Sequence, residues 1–192
     1  MDITIEEKKA IRKKAAKPLL WISMVSMVML FAGLTSGYVV RRADGEWLTF
    51  DLPATFNIST ALIVLSSLAM IFAHWSLKKG QQQGLKQGLT AAMVLGLGFA
   101  LTQFQAWDAL VEAGIYFTGE GSSASGSFLY AITGLHLLHM AGGLIALLVT
   151  LINAFRGKYS QEERLGFELC AIFWHFLGLL WLYLFLFLVF IR

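Results

Sequence analysis

Five stretches of this chain contain no Asp, Glu, Lys or Arg. They are Pro18–Val40, Leu52–Leu77, Gln87–Trp107, Gly121–Phe155 and Leu169–Ile191, of 23, 26, 21, 35 and 23 residues. At about 1.5 Å of rise per residue, each can cross a hydrocarbon core of about 30 Å as a helix. Apolar positions run continuously within them rather than alternating. The pattern therefore reads as helix and not as the strands of a barrel, the other structure that satisfies its backbone in lipid. The predicted fold is an all-α integral membrane protein, a five transmembrane helix bundle. Its helices are expected at about residues 19–40, 56–78, 89–110, 128–155 and 166–191.

The segments between the runs are short and polar. Residues 1–17, "MDITIEEKKAIRKKAAK", read as a helical, surface-lying cytoplasmic tail, and residues 18–192 as a single membrane domain without internal repeats. The first run exceeds a typical signal-peptide core and lacks a small-x-small cleavage site, so it is expected to be a retained helix. It holds Gly33 and Gly37, a spacing that permits close helix contact. Asp44-Gly45 signals a turn, and Trp47 is an expected interfacial anchor. The link "GEGSSASGS" is flexible and polar, with Ser127 as the expected cap of the fourth helix.

Composition agrees: 57% of residues are hydrophobic and 14% charged, which excludes a soluble domain of 192 residues. Twelve of the fifteen basic residues fall on one side of the predicted membrane: Lys8, Lys9, Arg12, Lys13, Lys14, Lys17, Lys78, Lys79, Lys86, Arg156, Lys158 and Arg164. Only Arg41, Arg42 and Arg192 fall on the other, so the N-terminus is expected inside and the C-terminus outside. The net charge of +3 then describes a skirt facing anionic lipid, with no nucleic-acid partner implied. Cys170 is the single cysteine, which excludes a disulfide framework and reads as a small buried apolar residue.

Polar groups inside spans are the default functional candidates. Here they are His74, Gln103, Gln105, His136, His139, Glu168 and His175, with Asp108 at a helix end. His74 lies one turn from Lys78 and reads as an interfacial imidazole. His136 and His139 are i, i+3 neighbours on one helix face. At about 1.5 Å per residue, His139 and His175 lie about 17 and about 19 Å below the outer face, so the two are expected to meet. Glu168 stays near the inner interface. A metal or haem site is disfavoured, because the His136–His139 spacing puts both imidazoles at one depth and no second pair, Cys-x-x-Cys-His or acidic ladder accompanies them. A buried hydrogen-bonded polar network is the better reading. The chain carries no nucleophile elbow and no phosphate-cradling glycine loop, and its one thiol cannot form a redox pair with itself.

The segment "SGSFLYAITGLHLLHMAGG" closely resembles a helix motif of haem–copper oxidase subunit III, with Ser125, Phe128, Thr133, Gly134, His136, His139 and Gly143 matching. "GFELCAIFWHFLGLLWLYLFLF" resembles that family's last helix through Gly166, Phe167, Glu168, Trp174, His175, Phe176, Trp181 and Leu182. Weaker echoes lie in "GLTSGYVVRR", "STALIVLSS" and "GFALTQFQAW", so the likeness covers nearly the whole chain. Two positions depart from it. Gly178 stands where the family commonly has an Asp after the last-helix histidine, and Ala106 where its third helix here would carry a Glu. Roles tied to those carboxylates do not transfer.

The resemblance implies the short, five-helix bacterial form of a non-catalytic accessory subunit in the cell's inner membrane. Such a subunit holds no catalytic, cofactor or metal residues. It docks on subunit I and other oxidase subunits, which carry the haem and copper, retains bound phospholipid and supports proton uptake. Gln103, His136, His139, Glu168, Trp174, His175 and Trp181 are then structural or lipid-contact candidates. Three other readings stay open at this point. They are a free-standing haem protein ligated by His139 and His175, a small transporter using Glu168 and His175, and a subunit III-like partner of a nitric oxide reductase.

Overall fold

The computed structural model describes residues 5–43, 45, 47–160 and 163–191, with side chains from Ile11 onward apart from Arg12. Five α-helices run through the described residues: α1 (Ile5–Ala43), α2 (Thr55–Lys78), α3 (Gln82–Glu112), α4 (Ala124–Phe155) and α5 (Leu165–Phe190). All five are long and apolar enough to cross a membrane. The reason is the one the uncharged runs carry: without water, each backbone N–H and C=O must be satisfied within its own segment. The 31 residues of α3 and 32 of α4 exceed the roughly 20 a bilayer requires, so both project beyond it.

From α2 onward, consecutive helices are antiparallel neighbours. α2, α3, α4 and α5 close into a four-membered ring, and α1 lies outside it, in the groove between α4 and α5. At one end of the bundle, here the basic end, Gln82 Nε2 donates to the Tyr159 carbonyl at 2.9 Å and ties the α2–α3 link to the α4–α5 link. At the opposite end Arg42 Nη1 donates to the Ile191 carbonyl at 2.8 Å.

The tail is helical, as expected, and continues unbroken into the first span. α1 passes through Pro18, which has no N–H to give the preceding turn. Lys13 pairs with Glu163 at 3.6 Å and Lys17 with Glu168 at 2.6 Å, so this segment is clasped to the start of α5. Residues 1–4 of the tail, Asp44 of the expected turn, and Arg192 lie outside the described residues; Gly45 has φ +86°, the left-handed region that glycine favours.

Two local expectations are corrected. The cap of α4 is Ser123, whose Oγ accepts from Gly126 N at 3.2 Å, and not Ser127. Ser127 lies inside the first turn, where its hydroxyl donates to the Phe117 carbonyl at 2.6 Å. The Gly33–Gly37 pair does not bring helices together either. Gly33 faces open space, and Gly37 meets only the Phe128 ring at 3.5 Å. The seam of α1 is instead built from Met24, Phe31, Thr35 and Tyr38.

Close backbone approach occurs between α2 and α3. A Cβ at Gly88 would stand 2.7 Å from Ala73 Cβ and 2.8 Å from Ala73 N. Small residues let these two helices touch along their backbones, the arrangement that packing in lipid rewards.

Candidate functional site

The interior of the ring is aromatic with a few polar groups. Trp174 and Trp181 sit seven residues apart on α5, so both point inward, and both are fully enclosed. Trp181 stacks on Phe56 of α2 and meets Phe99 of α3 edge-on at 5.0 Å. Trp174 fills the space that Gly96 of α3 leaves open, where a Cβ would lie 2.6 Å from the indole.

An indole N–H has only one use, as a donor, and needs a partner when buried. Each inward tryptophan finds a hydroxyl on a neighbouring helix. Trp174 Nε1 donates to Ser66 Oγ at 3.0 Å, which in turn donates to the Ala92 carbonyl at 2.9 Å. Trp181 Nε1 donates to Thr60 Oγ1 at 3.0 Å, and Thr60 to the Phe56 carbonyl at 2.7 Å. Trp107 repeats the device on α4 through Thr133, at 3.1 Å. On the α1 side the hydroxyls of Thr35 and Tyr183 lie 3.0 Å apart. Sequence reasoning missed Ser66, Thr60, Thr133, Thr35 and Tyr183. Hydroxyl residues buried in spans beside tryptophans were the available signal.

Of the predicted polar residues, Gln103 and His136 are fully buried. The His136 ring is surrounded by Trp181 at 5.2 Å, Phe99 at 5.9 Å and Phe31 at 6.3 Å. Among the described residues, neither its ring nitrogens nor the amide atoms of Gln103 have a hydrogen-bond partner. His139 turns toward α1. Its Nδ1–H donates to the Leu135 carbonyl at 2.7 Å, and its ring meets Phe31 edge-on at 5.8 Å.

His175 does not join His139. The inward stripe of α5 belongs to Trp174 and Trp181, so the next residue, rotated by about 100°, faces α2. There His175 and Gly178 line a groove of about 480 Å³ with Ile63, Ser67 and Leu182. A second cavity of about 320 Å³ adjoins it, sharing Ile71 and His175 and reaching His74 and Glu168. The expected meeting of His139 and His175 is therefore not formed, and haem ligation by that pair loses its geometry.

Glu168 ends this groove at the basic end. Its carboxylate accepts from Lys17 Nζ at 2.6 Å and pairs with Arg164 Nε at 2.7 Å. His74 stacks on Phe167 at 5.6 Å. Gln105 and Asp108 are exposed. Trp47, the expected anchor, packs edge-on against Tyr38 at 4.6 Å. Among the described residues no three of His, Cys, Asp and Glu gather as metal ligands would.

These features define a multi-pass helical membrane protein in which buried indoles and hydroxyls tie helices together. The family model of cytochrome c oxidase subunit III matches residues 49–191. A probable cytochrome c oxidase subunit 3 of Nocardia farcinica is 32% identical over 179 residues, 91% of this chain and 86% of that protein. One of Mycobacterium leprae is 31% identical over 181 residues, 90% and 85% of the two chains. One of Rickettsia felis is 36% identical over 140 residues, 72% of this chain and 47% of that protein. The chain belongs to the cytochrome c oxidase subunit III family. It is an accessory, membrane-embedded subunit of the respiratory chain that assembles with other oxidase subunits.

Proposed function

We propose that this subunit sits against the catalytic subunit I of a haem–copper oxidase and serves it without any redox centre of its own. It retains phospholipid beside the catalytic subunit and supports proton uptake. The chain lies with its N-terminus inside and its C-terminus outside the plasma membrane of a bacterial cell. Haem and copper belong to its partners.

One observation carries this reading. The polar groups of the ring interior are enclosed, whereas His74, Glu168 and His175 line an apolar groove on the outside of the ring, between α2 and α5. An apolar trough ending in an ion-paired cluster suits an amphiphile with its chain along the groove and its head at the basic end. The twelve basic residues on the inside support the orientation.

The test is affinity isolation of the complex through a tag on this chain, in mild detergent. Haem and copper spectra should accompany a large co-purifying subunit, and the separated chain should be colourless. Replacing Val64, which lines the groove, with Trp should lower the phospholipid that co-purifies. Unchanged phospholipid would remove the groove from the proposal. Reporter fusions at Gly80 and Gly157 should read cytoplasmic and one at Gly121 periplasmic; a periplasmic signal at Gly80 would reverse the orientation.

A further inference from the structure

Among the described residues, buried polar atoms without a partner lie on three different helices, Thr55 Oγ1 on α2, Gln103 Oε1 and Nε2 on α3, and His136 Nδ1 and Nε2 on α4, and at Trp47 Nε1 in the link between α1 and α2. The heights of the first three in the bundle follow from hydrogen bonds between the helices. Ser66 of α2 is fixed level with Ala92 of α3 by a 2.9 Å bond. Thr55 lies eleven residues before Ser66, and Gln103 eleven residues after Ala92. The helices are antiparallel, so both steps lead the same way by the same distance, about 16 Å. Trp107 of α3 is likewise level with Thr133 of α4 through a 3.1 Å bond. Gln103 lies four residues back from the first and His136 three residues on from the second. Those steps are about 6 and about 4.5 Å, again in one direction. All three orphaned groups therefore share one level of the ring.

Two of them also share its inside. Thr55, half-buried in the first turn of α2, lies instead on the stripe Ser59–Leu62–Ser66 that faces α3. Gln103 and His136 are fully buried on the inward stripes of their helices. Phe99 joins them, one turn from Gln103 and 5.9 Å from the His136 ring. On the side toward the basic end, Trp181, packed on Phe56 and Phe99, closes the level with an aromatic floor.

A buried polar group left unsatisfied costs about 1–3 kcal/mol, and here no bulk solvent surrounds the ring to relieve it. Together Gln103 and His136 offer an amide with two donors and an acceptor and an imidazole with one of each. A water molecule needs two to four such partners. We infer that Gln103 and His136 form an internal hydration site, in which ordered water bridges α3 and α4 above the aromatic floor. It is independent of the lipid groove, which lies on the outside of the ring.

The test uses the intact oxidase complex. In a density map that resolves buried water elsewhere in the complex, solvent density should appear about 2.6–3.2 Å from the Gln103 amide and from a His136 ring nitrogen. The second measurement is retention of this chain by the complex in detergent, for Gln103→Leu, His136→Leu and the double variant. Each single variant strands the water and its remaining partner, so each should shorten the retention half-life. The double variant removes both polar groups and should be no worse than the poorer single. Dry side chains in such a map, or Gln103 bonded directly to His136, would overturn the proposal, as would losses that multiply in the double variant. Should the variants fail to assemble, the map of the unaltered complex decides.

Discussion

Alanine at Gly88 provides the sharpest test of the packing argument, because its consequence can be worked from distances. The added methyl would lie 2.7 Å from Ala73 Cβ, 2.8 Å from Ala73 N and 2.9 Å from the Ala69 carbonyl oxygen. Carbon pairs rest at about 3.5–4.0 Å, so α2 and α3 must part by roughly 1 Å. Two of the three obstructing atoms are backbone, and no rotamer change can relieve them. Overpacking of this kind costs about 1–3 kcal/mol, against a helix-propensity gain of up to about 1 kcal/mol for replacing glycine. The net loss should be about 1–2 kcal/mol, or about 2–8 °C in melting temperature for a chain of this size. Gly33→Ala is the matched control, since nothing lies within 4 Å of its would-be methyl. Cys170 is the only thiol and is buried, so a thiol-reactive dye reports unfolding of the chain in detergent directly. If Gly88→Ala melted with the unaltered protein while Gly33→Ala fell, the assignment of the close seam to α2–α3 would be refuted.

Ser66→Ala removes the acceptor of Trp174 Nε1 and the donor to Ala92; a loss of about 1 kcal/mol in the same melt is expected, and no loss would mean the indole finds another partner. Lys17→Ala breaks the 2.6 Å pair with Glu168, but Lys17 is half exposed, so less than about 1 kcal/mol is at stake and the difference from the unaltered protein should vanish in high salt. Oxidase stripped of this chain should keep spectrally normal haem and copper and appreciable initial turnover, with activity declining over many turnovers. Loss of the metal centres, or silence from the first turnover, would contradict an accessory role.

The five helices were legible because hydrocarbon admits few alternatives: an uncharged run of sufficient length has to close its own backbone bonds. The helix ends were not legible to the same degree. α3 begins at Gln82 rather than near Leu89, because Gln82, Gln83 and Lys86 favour helix well enough to extend it beyond the apolar run. Facing was harder still. Depth placed His139 and His175 at one level, but depth says nothing of rotation, and the two α5 tryptophans had already claimed the inward stripe. His136 was expected in a buried hydrogen-bonded network; it is buried, but among the described residues its ring nitrogens have no partner. Gln103 was among the candidates too, but its common height with His136 became visible only once interhelical bonds had set the register of the helices.

The position of α1 outside the ring has a consequence for how the chain is made. Among the described residues it packs on α4 and α5, which leave the ribosome last. From Ala43 to Phe190 are 147 residues, about 7–30 s of synthesis. Until α5 is complete, the α1 seam of Met24, Phe31, Thr35 and Tyr38 is at most partly covered, by α4, while α2 and α3 already pair as a local hairpin. The Lys17–Glu168 clasp cannot close until α5 begins to emerge. Newly made chain is therefore exposed at α1 for most of its synthesis, and quality-control proteases of the membrane would find their substrate there before they found it anywhere in the ring.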